Sequence, residues 1–325
     1  MKTIEDYRAL LLSHLEQYNS GSKQPYQLYD PIQYILELGG KRLRPTLTLM
    51  TTDAFGGDTS KALNAALAIE VFHNFSLIHD DIMDNAPLRR GQQTVHEKWD
   101  LNTGILSGDA MLILAYQLFE SYNAVQFKAL TTLFSQTALE VCEGQQYDID
   151  FENRFDVTIP EYIKMIEYKT AVLVGAAMQM GAIVAGASVT DQQRIYDFGR
   201  NLGIAFQLQD DYLDAYGDPK LFGKQVGGDI LENKKTHLFL KAMELGSEQC
   251  KAQIKQLFTE TNLSSVAKIE TALALFESSG AATATKQAIE QYTNKALRCL
   301  SDLPITDAMK QMLQNFGLEL MRRSS

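Results

Sequence analysis

Three aspartates lie within one apolar stretch of the sequence, residues 70–91, which reads EVFHNFSLIHDDIMDNAPLRRG. Asp80 and Asp84 stand four positions apart, so a helix presents them on one face. Like charges at that spacing repel, and no lysine or arginine lies three or four residues away to offset them. Mg²⁺ typically takes one or two carboxylates and completes its shell with water and substrate phosphate. A solvated helix end is the commoner use of such residues, but Asp80, Asp81 and Asp84 also fit a magnesium site.

A second copy of the same spacing favours the metal-binding interpretation. Residues 206–214 read FQLQDDYLD, again within an apolar, helix-patterned stretch. Asp210 and Asp214 share one face, and Gln207 lies three residues before Asp210 and four before Asp211. Two independent copies of this aspartate spacing in hydrophobic helical sequence are hard to explain as solvent-exposed surface residues. The sequence therefore predicts two carboxylate clusters that share a site for several metal ions.

Basic residues follow or precede helices at two points. Arg89-Arg90-Gly91 follows Pro87 after one residue, and two adjacent guanidinium groups suit a diphosphate. Residues 39–45 read GGKRLRP, which places three cations in four residues at a junction between helices. Such cations commonly complement a helix C-terminus. Beside two carboxylate motifs we favour the alternative, an anion pocket in which the glycines allow close backbone approach.

Two further segments could contact phosphate groups. Lys169-Thr170 precedes a small-residue stretch, where a snorkelling lysine is the ordinary explanation. Residues 222–237, FGKQVGGDILENKKTH, form a glycine-rich stretch whose lysines are point charges for phosphate. Residues 143–150, EGQQYDID, contain three acids without an apolar frame, and we give them a secondary role.

The whole chain restricts the classes of protein to consider. Its 325 residues contain 40 acidic and 30 basic side chains, a net charge of −10, which argues against a nucleic-acid partner. Three cysteines without metal-ligand spacing indicate reduced thiols and a cytoplasmic location. The first residues resemble neither a signal nor a transit peptide, and we expect no membrane span. Residues 171–187 come closest to a span, but their many glycines and alanines suit a tightly packed helix better.

Helical periodicity dominates the chain, and β-alternation of useful length is not evident. The pattern predicts helices over residues 3–18, 31–38, 45–52, 60–84, 109–121, 128–141, one opened by Pro160, and one capped by Asp191 that contains the second aspartate motif. Without a linker-like tract, we expect one all-α domain over residues 1–325, a helical bundle with a central active-site cavity.

These residues together indicate prenyl transfer. The basic groups are more numerous than one diphosphate requires, so two diphosphates would bind in one helical cavity. Metal ions and cations would withdraw electron density from an allylic diphosphate until its C–O bond ionises. The double bond of a second substrate would then capture the cation, in a site that excludes water.

The ordered motifs resemble those of the trans-isoprenyl diphosphate synthases, or polyprenyl synthetases, over nearly the whole chain. The resemblance implies an isoprenoid-synthase-type bundle, usually a homodimer, that condenses isopentenyl diphosphate with dimethylallyl, geranyl or farnesyl diphosphate. It also implies three Mg²⁺ ions, for which Mn²⁺ could substitute.

The resemblance assigns roles residue by residue. The metal ligands would be Asp80, Asp81, Asp84, Asp210 and Asp214. The contacts to isopentenyl diphosphate would be Lys41, Arg44, His73 and Arg90. The contacts to the allylic diphosphate would be Arg89, Lys169, Thr170, Gln207, Lys224 and Lys234. The groups most directly involved in catalysis would be Asp80, Asp84, Lys169, Asp210 and Lys224. Arg322-Arg323 resembles a basic tail that some members fold over the site.

Product length depends in this family on bulky residues before the first aspartate motif. Phe72, Phe75 and Ser76 stand eight, five and four residues before Asp80. The two-residue spacing inside the motif and the small Ser76 beside Phe75 resemble the archaeal-type geranylgeranyl pattern. We therefore expect a product of fifteen to twenty carbons, with geranylgeranyl diphosphate favoured over farnesyl diphosphate. Both phenylalanines could equally be core residues.

Three other functions remain open from the sequence. A class I terpene cyclase uses an aspartate-rich helix but binds one diphosphate, and the second aspartate motif and GGKRLRP argue against it. A regulatory subunit of a heteromeric synthase usually loses one aspartate motif, whereas this chain has both. A head-to-head synthase needs no isopentenyl site.

Overall fold

A computed structural model describes residues 2–21, 23–217, 226–259 and 264–321. Its helices are α1 Ile4–Asn19, α2 Tyr26–Glu37, α3 Leu43–Ala54, α4 Leu63–Met83, α5 Val95–Lys98, α6 Leu101–Gln117, α7 Ala124–Glu152, α8 Ile159–Ile166, α9 Val172–Ala185, α10 Val189–Tyr216, α11 Gly228–Leu231, α12 His237–Leu245, α13 Glu248–Leu257, α14 Ser265–Ser278, α15 Ala281–Ser301 and α16 Asp307–Met321.

The described residues contain very little β-structure. Two antiparallel strands of two residues each, β1 Leu88–Arg89 and β2 Gln92–Gln93, form a hairpin. Short 3₁₀ turns lie at Thr59–Ala62 and Leu118–Ser121, and one π-helical turn lies at Glu167–Ala171. The predicted all-α class is confirmed.

Backbone contacts divide the chain into two compact units. The first contains Met1–Ser135 and Ala176–Gln193, and the second contains Gln136–Gly175 and Arg194–Ser325. The first aspartate motif belongs to the first unit and the second motif to the second unit. The single domain over residues 1–325 stays a prediction.

In the first unit, α4 packs extensively against α6. Two glycines of α6 allow this close approach, since a Cβ atom at Gly108 would lie 2.3 Å from His79 Nε2 and one at Gly104 would lie 3.0 Å from Ile82 Cδ1. Aromatic rings fill the core of this unit, where the ring centroids of Phe72 and Phe134 are 5.1 Å apart. The apolar positions of α4 thus fix the helix whose last turn carries Asp80 and Asp84.

In the second unit, α10 lies against the segment that ends α8 and begins α9. A Cβ atom at Gly203 would lie 2.7 Å from Ala171 Cα, and one at Gly199 would lie 2.9 Å from Gly175 Cα. The small residues therefore serve close helix packing, as the sequence predicts. Among the described residues, Ile159–Ala185 is long and apolar enough to cross a membrane by length and composition, and 67% of its apolar window is buried inside the protein.

Helix boundaries depart from the sequence pattern in three places. The second helix begins at Tyr26, so Pro31 lies inside it and is buried, instead of opening it. The helix predicted over 109–121 begins at Leu101 and ends at Gln117. The helix predicted over 128–141 extends to Glu152, which places the acidic residues 143–150 on a helix.

Candidate active site

The first aspartate motif forms the C-terminal end of α4. Asp80 lies in the last turn and is partly exposed, while Asp84 is the exposed C-cap residue. Asp81 points the other way and is 2% exposed. Arg89 donates from Nε to Asp81 Oδ2 at 2.7 Å, and its Nη2 lies 2.7 Å from Oδ1. Asp81 is therefore paired with Arg89. This pairing favours Asp80 and Asp84 as the metal ligands of the motif.

The hairpin after α4 presents Arg89 and Arg90. Arg90 (φ +53°) and Gly91 (φ +76°) form its two-residue loop, and positive φ at both positions is the type I′ geometry that fits twisted strands. Arg90 donates to the carbonyl oxygen of Gly39. The guanidinium of Arg90 therefore lies beside the GGKRLRP segment, which places two of the predicted isopentenyl contacts in one unit.

Gly40 makes room for that guanidinium. Its φ is +116°, and a Cβ atom there would lie 2.8 Å from Arg90 Cζ. We expect Gly40→Ala to displace Arg90 and to raise KM for isopentenyl diphosphate about tenfold or more, the effect of one lost hydrogen bond to a charged group. Steady-state kinetics with each substrate varied in turn tests this.

Gly39→Ala is the matched control for that substitution. Gly39 also has a positive φ, +80°, but a Cβ atom there meets nothing within 4 Å. Both variants strain the backbone, so both should lose stability, by about 1–2 kcal/mol. Equal effects of the two on KM would contradict the role given to Arg90.

His73 and Arg44 form the centre of the predicted isopentenyl site. Arg44 Nη1 lies 3.2 Å from His73 Nε2, and an arginine can only donate, so the imidazole nitrogen accepts. Burial, together with the nearby charges of Arg44, Arg90, Arg89 and Arg42, lowers the pKa of His73 well below its ordinary value. His73 is therefore neutral and orients Arg44. Lys41 is exposed.

Arg42 has a different role from its two basic neighbours, which the sequence did not distinguish. Its side chain is buried and forms an ion pair with Glu70, and it also donates to the carbonyl oxygen of Leu36. Asn74 donates to the same Glu70 carboxylate at 2.9 Å. This buried network supports the start of α3, where Arg44 lies.

The second unit contains a cavity of about 130 Å³. Its polar lining includes Lys169, Thr170, Gln207, Asp211, Asp229, Lys234 and Asp148. All four described residues of this unit that are predicted to contact the allylic diphosphate therefore line the cavity: Lys169, Thr170, Gln207 and Lys234. Lys169 and Thr170 lie on the π-helical turn Glu167–Ala171, a feature that often marks functional sites.

Asp148 is a residue of this cavity that the sequence pattern did not single out. Lys169 Nζ donates to its Oδ2 at 2.6 Å. The signal was present in the acidic stretch 143–150, but only the extension of α7 to Glu152 brings it to Lys169. Lys169 is thus paired with a carboxylate that lines the same cavity.

Asp211 lines the cavity and belongs to a hydrogen-bond network. It accepts from the Tyr162 hydroxyl and, at 2.9 Å, from Gln207 Nε2. Gln207 Oε1 in turn accepts from the Thr170 hydroxyl at 3.2 Å. Burial and the charge of Asp229 raise the pKa of the Asp211 carboxyl to about 8, although the bonds from Tyr162 and Gln207 oppose that shift. Asp211 therefore supports Gln207, while Asp210 and Asp214 remain the predicted ligands.

This raised pKa has a consequence for stability. The folded protein binds the Asp211 proton up to about pH 8 and the unfolded chain only up to about pH 4, so stability falls as pH rises between these values. We expect Asp211→Asn to flatten that fall in protein freed of metal. Thermal unfolding at pH 5 and pH 8 with a chelator checks this, and an unchanged pH slope would contradict it.

The remaining predicted contacts divide into described and undescribed residues. Asp214 Oδ2 accepts from the backbone N–H of Asp229 at 3.0 Å. Lys234 Nζ lies 2.9 Å from Glu232 Oε2 and 3.6 Å from Asp229 Oδ1. Lys224 and Arg322-Arg323 lie outside the described residues.

The donor chemistry of both motifs fits magnesium. Across residues 2–21, 23–217, 226–259 and 264–321, no cluster of three or more His, Cys, Asp or Glu side chains is close enough to hold a metal unaided. Mg²⁺ needs no such cluster, because it is bound through one or two carboxylates plus substrate phosphate and water. Asp80 with Asp84, and Asp210 with Asp214, each offer a pair of that kind.

The predicted chain-length residues lie in the aromatic core of the first unit. Phe72 is fully buried, and its ring centroid is 5.4 Å from that of Phe75. The Phe75 ring also contacts the His79 ring at 4.7 Å, toward the aspartates. Ser76 donates to the carbonyl oxygen of His73 at 2.8 Å. Their effect on product length stays a prediction.

Comparisons with known proteins identify the family of this chain. A polyprenyl synthetase family model matches residues 25–276. The geranylfarnesyl diphosphate synthase of Natronomonas pharaonis is 36% identical in an alignment 320 positions long, gaps included, that covers 93% of this chain and 92% of the relative. A crystal structure of geranylgeranyl pyrophosphate synthase is 55% identical, with full coverage of both chains and a TM-score of 0.96.

A further similar solved structure contains an isoprenyl diphosphate and magnesium. The geranylgeranyl pyrophosphate synthase of Corynebacterium glutamicum, complexed with isoprenyl diphosphate and magnesium, is 26% identical, covers 98% of each chain and has a TM-score of 0.84. The predicted enzyme class, a prenyltransferase, is confirmed. The chain belongs to the polyprenyl synthetase family.

Proposed function

We propose that this enzyme condenses isopentenyl diphosphate with allylic diphosphates, in the presence of Mg²⁺, to give a product of fifteen to twenty carbons. The observation that supports it best is the basic cluster of the first unit, in which Arg44 of the GGKRLRP segment contacts neutral His73 and Arg90 contacts Gly39 of the same segment. A terpene cyclase, which ionises one diphosphate, has no use for this second anion site. The Corynebacterium glutamicum relative, complexed with isoprenyl diphosphate and magnesium, supports the same choice.

Two different sets of residues would bind the two diphosphate substrates. Lys41, Arg44 and Arg90 would hold isopentenyl diphosphate, and the neutral imidazole of His73 would keep Arg44 oriented. Lys169, Gln207 and Lys234 would bind the allylic diphosphate and stabilise the charge that develops on it as a leaving group.

Metal ions would complete this arrangement. Asp80, Asp84, Asp210 and Asp214 would hold Mg²⁺, which supplies Lewis-acid stabilisation of the departing diphosphate when bound. We propose three ions, with Mn²⁺ able to replace Mg²⁺. Buried side chains around both anions would exclude water from the allylic cation.

Product analysis with the purified protein tests this function. Isopentenyl diphosphate and Mg²⁺ are supplied with dimethylallyl, geranyl or farnesyl diphosphate in turn, and products are separated by length. We expect geranylgeranyl diphosphate as the main product, with Phe75 limiting further growth. A geranylfarnesyl product, the one named for the Natronomonas pharaonis relative, would contradict the proposed length but keep the reaction. A cyclic hydrocarbon from one allylic diphosphate alone would favour the terpene cyclase.

We also propose a cytoplasmic homodimer that forms through the outer face of α6. Leu106 and Ile113 stand seven residues apart on one helix face and are 60% and 58% exposed, and Ile105 lies beside them. Neighbouring exposed apolar residues mark interaction surfaces. Gly104 and Gly108 occupy the opposite face, toward α4.

Charged substitutions on that face test the dimer. We expect Leu106→Asp with Ile113→Asp to halve the mass measured by light scattering, because burying two carboxylates opposes association. Leu245→Asp, at an apolar residue on α12 that is 52% exposed, is the control. A double variant that keeps the mass of the wild type would contradict this interface.

A further inference from the structure

Helix α14, Ser265–Ser278, contains none of the predicted site residues, yet it buries a lysine. Lys268 is 7% exposed. Lysine is almost never buried to this extent unless it is paired. Its hydrogen-bond acceptors in the described structure are oxygens of one short segment, residues 226–235, which lies within the glycine-rich stretch 222–237.

The contacts of Lys268 lie at the end of α11. Its Nζ donates to Asn233 Oδ1 at 2.7 Å and to the carbonyl oxygen of Leu231 at 3.4 Å. Asn233 has a φ of +59°, a left-handed conformation that non-glycine residues adopt at a cost. The ammonium group therefore supports a turn in which Asn233 is left-handed, a conformation that asparagine adopts more readily than most residues other than glycine.

A second contact from α14 supports the beginning of the same segment. Ile269 packs against Gly227, where a Cβ atom would lie 2.6 Å from Ile269 Cδ1. Gly227 has a φ of +83°. Two neighbouring residues of α14 thus contact the segment at both ends. Ile269 contacts its beginning, and Lys268 contacts its last turn.

The other side of the segment contacts the second aspartate motif. The N–H of Gly227 donates to the Asp214 carbonyl oxygen at 2.6 Å, and the N–H of Asp229 donates to Asp214 Oδ2 at 3.0 Å. The N–H of Lys234 closes the turn by donating to the Asp229 carbonyl oxygen at 2.9 Å. A shift of this turn would therefore move Lys234, Asp229 and the support of Asp214 together.

We propose that Lys268 is a positioning residue for the allylic diphosphate site, where it holds the turn at Asn233 so that Lys234 and Asp229 stay in place. The inference rests on the proposed function of that site. Without the ammonium group, the oxygens of Asn233 and Leu231 lose their donor and the left-handed turn loses its support. Misplacing a binding group by about 1 Å from a distance can cost 100-fold in rate.

Lys268→Met tests the proposal, since it keeps the length of the side chain and removes the donor. We expect kcat/KM for the allylic diphosphate to fall about 10- to 100-fold while KM for isopentenyl diphosphate stays unchanged. Lys251→Met makes the same chemical change at a lysine of α13 that is paired with Glu248 at the surface, and it should behave as wild type.

Substitutions at Asn233 test the same contact from its other end. Asn233→Asp keeps an acceptor for Lys268 and should retain kcat/KM, whereas Asn233→Gly tolerates the positive φ but removes the acceptor and should match Lys268→Met. The double variant Lys268→Met with Asn233→Gly should be no worse than either alone, because one interaction is lost only once. Additive losses would overturn the proposal.

A binding measurement separates this inference from the proposed function. Inorganic diphosphate with MgCl₂ should raise the Tm of the wild type, of Lys251→Met and of Asn233→Asp, and should raise it less in Lys268→Met and Asn233→Gly. A wild type that shows this shift but makes no prenyl product would contradict the function and not the inference. Equal Tm shifts in all five proteins, or equal losses toward both substrates in Lys268→Met, would overturn the inference.

Discussion

Replacing Arg42 by methionine is expected to destabilise the enzyme by about 3–5 kcal/mol, the cost of leaving one partner of a buried ion pair uncompensated. Both side chains of the Arg42–Glu70 pair are almost fully buried, with 2% and 3% exposure. The loss leaves the Glu70 carboxylate with Asn74 as its remaining side-chain donor and the Leu36 carbonyl oxygen without its guanidinium. Urea unfolding followed by circular dichroism measures the change.

A double substitution distinguishes charge burial from lost packing. Arg42→Met with Glu70→Met removes both charges at once, and well-packed apolar pairs often replace buried ion pairs without net loss. We expect it to recover most of the stability that Arg42→Met loses. Lys251→Met, which breaks a surface pair with Glu248, should leave the unfolding midpoint unchanged. A single variant as stable as wild type would show that this pair is not needed.

The sequence predicted this fold well where one helix face is apolar over many residues. The periodic stretch from residue 60 to Asp84 became α4 almost as expected, because its apolar side and its aspartates are both local features. The end of α7 was missed for the opposite reason. Residues 143–150 show no apolar frame, and only packing within the second unit makes them helical and brings Asp148 to Lys169.

At the site, the sequence did not show which of two adjacent aspartates is buried. Asp80 and Asp81, like Asp210 and Asp211, look alike in the sequence, and 100° of helix rotation sends each pair toward different surroundings. The structure shows that Asp81 and Asp211 are the buried members. The roles of Arg42 and Lys268 depend on left-handed residues, Arg42 itself and Asn233, whose conformation non-glycine sequence does not announce.

The difference between buried and outward aspartates leads to the second large effect, on catalysis. We expect Asp80→Asn or Asp84→Asn to lower kcat at least about a hundredfold, because a carboxylate that holds Mg²⁺ supports several kcal/mol of transition-state stabilisation. The same variants should need more Mg²⁺ for half-maximal rate. Steady-state rates over a range of MgCl₂ concentrations measure both quantities.

Asp81→Asn is the matched control, since it makes the same chemical change one residue away. Asp81 is bonded to Arg89 inside the first unit, so its loss should lower the Tm more than Asp80→Asn does and should leave the Mg²⁺ requirement near that of wild type. Asp80 and Asp84 share a helix face, so neutralising either also relieves repulsion at i, i+4 spacing. If Asp81→Asn raised the Mg²⁺ requirement as much as Asp80→Asn does, Asp81 would count among the metal ligands. That result would contradict the proposal that the more exposed aspartates bind metal while the buried ones support the structure.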